Sequence, residues 1–311
     1  MSHPDVEKLL QFYRAARGNL PETHRHTEAV APMPSFFSIA TLQQHLSNPV
    51  IAPNFVMLVH QGQQIPLEKS CFFKTVQQRQ LWFMDKRLLD EHLRKGASVI
   101  VEGLDMLDSQ VNELCAQLDA GLPCSLVNCV AFFSQQSNEL YKGHIDSDDV
   151  LVVQISGEKR WRLYAKQAPR KVNLSELTST QMGQQIAELT LRPGDALYIR
   201  SGVPHVCETQ ASHSLHLSFD LCDRTPNAEE IWRSAYARYE LNSAASYTSA
   251  AEVAQRLGKE LQSADLAAAL ARRQEALRGE ARAFRERIGS TRVRALDKFL
   301  QQEAADAKQR A

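Results

Sequence analysis

The chain has 311 residues, with 36 Lys+Arg balanced by 36 Asp+Glu, and is 43% hydrophobic. That length allows one large folded domain with an appendage, or two domains. The even charge balance does not mark the whole chain as a nucleic-acid binder, and no run of about 18 apolar residues offers a membrane-spanning helix. The opening residues, Met1-Ser2-His3-Pro4-Asp5, lack the basic-then-apolar pattern of a secretory signal, so a cytoplasmic protein is expected. The cysteines at 71, 115, 124, 129, 207 and 222 form no Cys-x-x-Cys pair, so reduced thiols are expected rather than a zinc site.

Residues 5–17 have the spacing of an amphipathic helix, with Val6, Leu9, Leu10 and Tyr13 on one face. Gly18, Pro21, Pro32 and Pro34 make 18–34 a loop, in which His24 and His26 read as solvated rather than as a metal pair. A short helix at 41–46 is followed by strands at 55–60, 70–74 and 97–102. A helix at 108–119, with Val111, Leu114, Cys115 and Leu118 on one face, stops at Gly121 and Pro123. A strand at 125–134 and a polar loop at 135–143 come next.

From 144 to 222 the signals are strand and turn. Val150–Ile155 is an apolar run broken only by Gln154, as in a strand buried on both faces. Ser156–Lys159 reads as a turn before a strand at 160–164. Pro193-Gly194-Asp195 and Ser201–Pro204 are turns on either side of a strand at 196–200. Over 214–221 polar and apolar residues alternate, and the polar row Ser214, His216, Ser218, Asp220 suggests a strand lining a wet cavity. Many short strands with such turns predict an α+β chain built on a jelly-roll or cupin-type barrel. After Pro226 the composition turns to Ala, Glu, Arg, Leu and Gln, with Leu266, Leu270, Leu277, Ala281, Phe284 and Ile288 along a helical stripe. The division expected is 1–34 (N-terminal helix and loop), 35–224 (barrel domain) and 225–311 (helical region). The helical region packs on the barrel or pairs two subunits into a homodimer; a substrate- or RNA-contacting surface is the alternative.

His144 and Asp146 are one residue apart, so on a strand both side chains point to the same side. Two His and one carboxylate, with positions left open, is the donor set of non-haem Fe(II) oxygenases. His205, behind the turn Gly202-Val203-Pro204, is the best third ligand. Such an enzyme needs an electron source, and a buried diacid would need a cation. Lys159, Arg160 and Arg162 are candidates, although from chemistry alone Lys159 reads better as a solvated turn residue. Gln154 is expected to face the pocket, and His216 either lines it or is a hydrogen-bonded interior His.

Asp148-Asp149-Val150 through Gln154, then Gly157-Glu158-Lys159-Arg160-Trp161-Arg162-Leu163-Tyr164, together with Leu191-Arg192-Pro193-Gly194-Asp195-Ala196-Leu197-Tyr198-Ile199, Gly202-Val203-Pro204-His205 and Ser214-Leu215-His216-Leu217-Ser218, resemble the JmjC-type oxygenases of the ribosomal-oxygenase (cupin-like) branch. The resemblance covers roughly residues 35–222. It implies a double-stranded β-helix that uses Fe(II), 2-oxoglutarate and O2. It implies His144, Asp146 and His205 as metal ligands and Lys159 as the partner of the distal 2-oxoglutarate carboxylate. Asn128 matches a cosubstrate-binding Asn of the family, and Gln154 and Ser218 complete the expected cosubstrate pocket. Tyr141, His216 and Trp82 are expected at the substrate end. The implied reaction is hydroxylation of an amino-acid side chain in a protein or peptide, such as a ribosomal-protein Arg or His. A small molecule or an RNA base is the alternative substrate, and a non-enzymatic cupin-like binding protein is the rival that the intact ligand set opposes. The chain departs from the family at Val130, where an aromatic is usual, in the longer loop before His144, and in lacking a recognisable winged helix.

Overall fold

A computed structural model describes residues 4–18, 24–27, 37–50, 52–121, 125–135, 143–167, 173–223, 228–242 and 249–288. The chain runs α1 (Pro4–Gly18), β1 (His24–Thr27), α2 (Ile39–Ser47), α3 (Ala52–Phe55), β2 (Val56–His60), β3 (Gln63–Gln64), β4 (Cys71–Val76), β5 (Arg79–Met84), α4 (Lys86–Arg94), β6 (Ser98–Val101), α5 (Leu104–Leu107), α6 (Ser109–Gly121) and β7 (Ser125–Gln135). It continues through β8 (Gly143–Ile145), β9 (Asp149–Tyr164), β10 (Leu174–Leu177), α7 (Ser179–Met182), β11 (Gln185–Leu191), β12 (Ala196–Ile199), β13 (His205–Asp223), α8 (Ala228–Asn242), α9 (Ala250–Leu261) and α10 (Ala264–Ile288).

One curled sheet has the order β1-β12-β9-β13-β7-β6-β2-β3, with β8 and β11 attached to β13 and β9, and β10 paired to β8. The long strands β9 and β13 do most of the curling. They pair from His205↔Leu163 to Thr209↔Lys159, lose register, and resume from Ser214↔Gly157 to Leu221↔Asp149. The break is the corner at which both strands pass from one wall of the barrel to the other. Gly157 sits there with φ +66°, and a Cβ would collide with the backbone oxygen of His213; only glycine fits both demands. Gln154 stitches the same corner, its amide donating to Ser156 O at 2.9 Å, Gly157 O at 3.2 Å and Ser214 Oγ at 3.0 Å. The expected turn at 156–159 is therefore a bend within one strand.

Alternation assigns the two faces. Leu151, Val153 and Ile155 of β9, Leu215, Leu217 and Phe219 of β13, and Val127, Cys129 and Ala131 of β7 pack outward under Leu9, Tyr13, Leu114 and Leu118 of α1 and α6. Val150, Val152, Trp161, Leu163, Leu197 and Ile199 form a smaller inner cluster. The barrel thus has a thick apolar coat on one wall and a partly polar lumen.

The structure corrects one further expectation and refines two others. His24 and His26 lie on a strand, β1, held by its register with Ile199 and Leu197 of β12; four residues are too few for alternation to be seen in the sequence. The strand at 70–74 is one arm of a hairpin, β4–β5, that forms a separate two-stranded sheet. The C-terminal stripe is partly used within the chain: Leu266, Ala281 and Arg285 of α10 are buried, and Arg285 donates to Asp119 (2.8 Å), Asp105 (2.5 Å) and the carbonyl of Val127. No helix among the described residues is long and apolar enough to cross a membrane.

Candidate metal centre

His144 lies on β8 and pairs directly with His205, the first residue of β13. Antiparallel partners share a face, so the imidazoles meet, their centroids 4.2 Å apart. Asp146 follows one residue beyond β8. Its carboxylate stands 3.8 Å from His144 Nε2 and 3.4 Å from His205 Nε2. The ligand atoms of the three all lie within 4.8 Å of one another, and this is the one cluster of three metal-capable side chains among the described residues. The pair His24 and His26 belongs to no such cluster.

The loops presenting these groups are tied together. Asp149 accepts from the Tyr198 hydroxyl at 2.5 Å and the Ser201 amide at 2.9 Å. Ser201 donates to Ser147 O at 2.9 Å, and the Gly202 amide to Asp146 O at 3.3 Å. His205 Nδ1 is 3.0 Å from Val203 O, which makes Nδ1 the protonated nitrogen and leaves the Nε2 lone pair facing Asp146. Two imidazoles and one carboxylate on one side of an ion suit Fe(II) with open positions, so the donor set fits such a metal.

From His205 one line of side chains runs into the barrel. Cys207 and Thr209 of β13 and their partners Trp161 and Lys159 of β9 follow on the same face. Lys159 lies four residues from the His205 row, about 13 Å along the strand. It is fully buried. Its Nζ donates to Ser134 Oγ at 2.8 Å and Thr209 Oγ1 at 3.1 Å, and those hydroxyls touch each other at 2.5 Å. Burial holds the ammonium pKa below its usual value, with Cys207 opposing. A buried ammonium met only by hydroxyls retains capacity for an anion.

Between Lys159 and the triad sits an aromatic lining. His216 stacks on Phe132 at 4.9 Å, and Trp161 meets both His216 (5.6 Å) and His205 (5.8 Å). Burial, and secondarily the Lys159 charge, pushes the His216 pKa well below 6.5, so this imidazole is neutral. Trp161 Nε1, His216 Nδ1 and Gln154 Oε1 are buried without hydrogen-bond partners among the described residues. Three orphaned polar atoms beside a buried cation fit a lumen that takes a polar, anionic molecule.

The remaining expected residues are distributed unevenly. Ser218 lies on the inner face between Val130 and Val152. Asn128 pairs with Asp220, six residues along β7 from Ser134, so it is at the open end and away from Lys159; its amide donates to Cys222 Sγ at 3.5 Å. Asp220 is pushed up to about 7 by burial and by the charges of Asp146 and Asp148. Trp82 belongs to the separate β4–β5 sheet, against Phe73, and to no strand carrying the triad. Tyr141 lies outside the described residues. Sequence reading missed the roles of Ser134, Thr209 and Trp161; for Ser134 the signal was a hydroxyl after the apolar run 129–133, while Thr209 and Trp161 are placed only by strand register.

A barrel with a two-histidine, one-carboxylate cluster at its mouth and a buried lysine in its lumen defines a cupin-type class. Residues 105–231 match the JmjC domain family. It is 32% identical over 130 residues to the bifunctional lysine-specific demethylase and histidyl-hydroxylase NO66 of Drosophila persimilis, covering 41% of this chain and 19% of that protein. It is 32% identical over 96 residues to ribosomal oxygenase 2 of Rattus norvegicus, covering 30% and 21%. These matched stretches span about a fifth of those relatives. Among solved structures, Escherichia coli ycfD aligns over 76% of this chain and 60% of its own, with 18% identity and a TM-score of 0.47.

Proposed function

We propose that this chain is an Fe(II)- and 2-oxoglutarate-dependent oxygenase that hydroxylates a side chain of a protein, with a ribosomal-protein Arg or His as the favoured target. The observation that carries the reading is Lys159: a fully buried ammonium on the same strand face as His205, four residues further into the barrel. His144, Asp146 and His205 would hold the metal, and Lys159, Ser134 and Thr209 would bind the distal carboxylate of the cosubstrate. Fe(II) with 2-oxoglutarate and O2 supplies the two-electron oxidation of a substrate C–H bond, coupled to release of succinate and CO2. The protein's own part is positional. Val203 O fixes the His205 tautomer, the Asp149–Ser201 bonds hold the two ligand-bearing loops together, and Trp161, Phe132 and neutral His216 wall the lumen with stacked rings.

The domain division at about 34 and 224 is proposed to separate this catalytic unit from its flanks. Trp232 and Tyr236 of α8 are 51% and 45% exposed, which supports homodimer formation through the C-terminal helices; light scattering reads the mass. Five described cysteines are free thiols, as a reducing, cytoplasmic setting would keep them.

The test is anaerobic titration of the full chain with Fe(II) and 2-oxoglutarate, followed by succinate release on admitting O2. A metal-to-2-oxoglutarate absorption band and substrate-stimulated succinate are expected; absence of both sinks the reading. A 16 Da gain on a ribosomal protein after incubation with ribosomes tests the target separately.

A further inference from the structure

The β4–β5 hairpin stands apart from the barrel sheet and is exposed over most of its length. Both of its faces carry an aromatic pair. Phe72 and Phe83 stack at 5.6 Å on one, and Phe73 and Trp82 meet at 5.6 Å on the other. Phe73, Phe72 and Trp82 are 60%, 47% and 37% exposed. Only the root, Cys71 and Met84, is buried. Large rings left in water on both sides of a two-stranded sheet are not core.

The charge around these rings is one-sided. The whole chain is neutral, yet residues 69–87 hold five basic residues (Lys69, Lys74, Arg79, Lys86, Arg87) against one acidic, Asp85. The Asp85 carboxylate is already used, capping α4 through the amides of Arg87 and Leu88 and pairing with the Arg87 guanidinium at 3.2 Å. Lys74 and Arg79, beside the Phe72–Phe83 stack, have no carboxylate partner among the described residues.

We propose that this hairpin is a binding surface for single-stranded RNA, with unpaired bases stacking on the exposed rings and phosphates meeting Lys74 and Arg79. Stacking platforms beside unpaired cations are what sequence-tolerant single-strand binders use. A lipid surface fits less well, because the hairpin tip is Gln77-Gln78 flanked by Val76 and Arg79, so the end that would insert is mostly polar. An acidic peptide would use the cations but not both aromatic faces. The proposal stands apart from the metal site and survives the failure of that assignment.

The experiment is fluorescence anisotropy of a fluorescein-labelled 20-nucleotide single-stranded RNA titrated with the full chain at several salt concentrations. Saturable binding is expected, poorly competed by duplex RNA, with quenching of tryptophan emission that Trp82→Phe removes. Phe73→Ala is expected to weaken binding about 10-fold. The Lys74→Gln/Arg79→Gln double variant is expected to flatten the salt slope by about 1.4, two phosphate contacts at roughly 0.7 each. These residues are exposed, so the variants keep the fold, checked by circular dichroism. The proposal is overturned by no saturable binding, by binding that both variants retain in full, or by Phe73→Ala changing only co-sedimentation with anionic phosphatidylserine vesicles or only self-association.

Discussion

Lys159 and Ser134 meet at 2.8 Å inside the barrel, with Thr209 at 3.1 Å completing a nest of one ammonium and two hydroxyls. No carboxylate neutralises this charge within the described residues. Replacing Lys159 by Met removes a buried cation while keeping most of its volume. The folded pKa lies below the unfolded 10.5, so the unfolded chain binds more protons in the window between them, and stability rises with pH there. Lys159→Met should lose that slope, unfold in urea at the same or a higher midpoint at neutral pH, and fail to develop the 2-oxoglutarate-dependent absorption band. A large fall in urea midpoint would make Lys159 structural.

Asp146 contributes the only carboxylate of the triad and is a third exposed, so its loss would remove a proposed metal ligand without opening the core. Asp146→Ala should abolish Co(II) binding measured by calorimetry and stop succinate release. Its circular dichroism should match the parent. Retained stoichiometric Co(II) binding would mean that other groups hold the metal.

How much of this was legible from the chain differs residue by residue. His144, Asp146 and His205 could be read because a one-residue spacing on a strand and a turn before the third ligand are local facts. The outer core could be read from alternation in β9 and β13. Lys159 could not be assigned from spacing: the bend at Gly157 makes its neighbourhood resemble a surface turn, and only the paired register of β9 and β13 turns it inward. Ser134 and Thr209 are 75 residues apart and meet across that corner, which no local pattern encodes. Asn128 has the expected identity at the expected place in β7, yet strand geometry sets it about 20 Å from Ser134. The β4–β5 hairpin escaped because its turn is Gln77-Gln78, both at positive φ, without the Asn or Gly that usually marks such turns.

Asp220 faces the open end of the barrel beside Asn128, and the negative charge of Asp146 helps raise its pKa to about 7. Its unfolded value is near 3.8, so the native state binds the extra proton, and stability falls as pH climbs from about 4 to about 7. The cost above pH 7 is on the order of 2–4 kcal/mol, allowing for screening through the mouth. Asp220→Asn should therefore stabilise the metal-free protein at pH 8 and have little effect at pH 4.5, measured by urea unfolding at both. Adding Co(II) should shrink the pH 8 gain, because a bound cation offsets the charge of Asp146. A gain of equal size at both pH values would assign the effect to packing.

Arg285 ties α10 to the barrel domain through two acids at once. Its guanidinium bonds Asp105 and Asp119, and both carboxylates also hold β7: the Cys129 amide donates to Asp105 at 3.0 Å and the Val127 amide to Asp119 at 2.7 Å. Burial raises the Asp119 pKa despite the arginine, so the pair is costly to break and of little net gain if removed whole. Arg285→Leu should cost about 3–5 kcal/mol, the usual penalty for leaving a buried charge unpaired. Adding Asp119→Asn to Arg285→Leu should recover part of that loss, since the amide retains an acceptor for Val127 without the charge. Denaturant unfolding of the single and double variants reads both effects. If Arg285→Leu costs under about 1 kcal/mol, α10 is not anchored through this contact and the C-terminal helices are free to pair elsewhere.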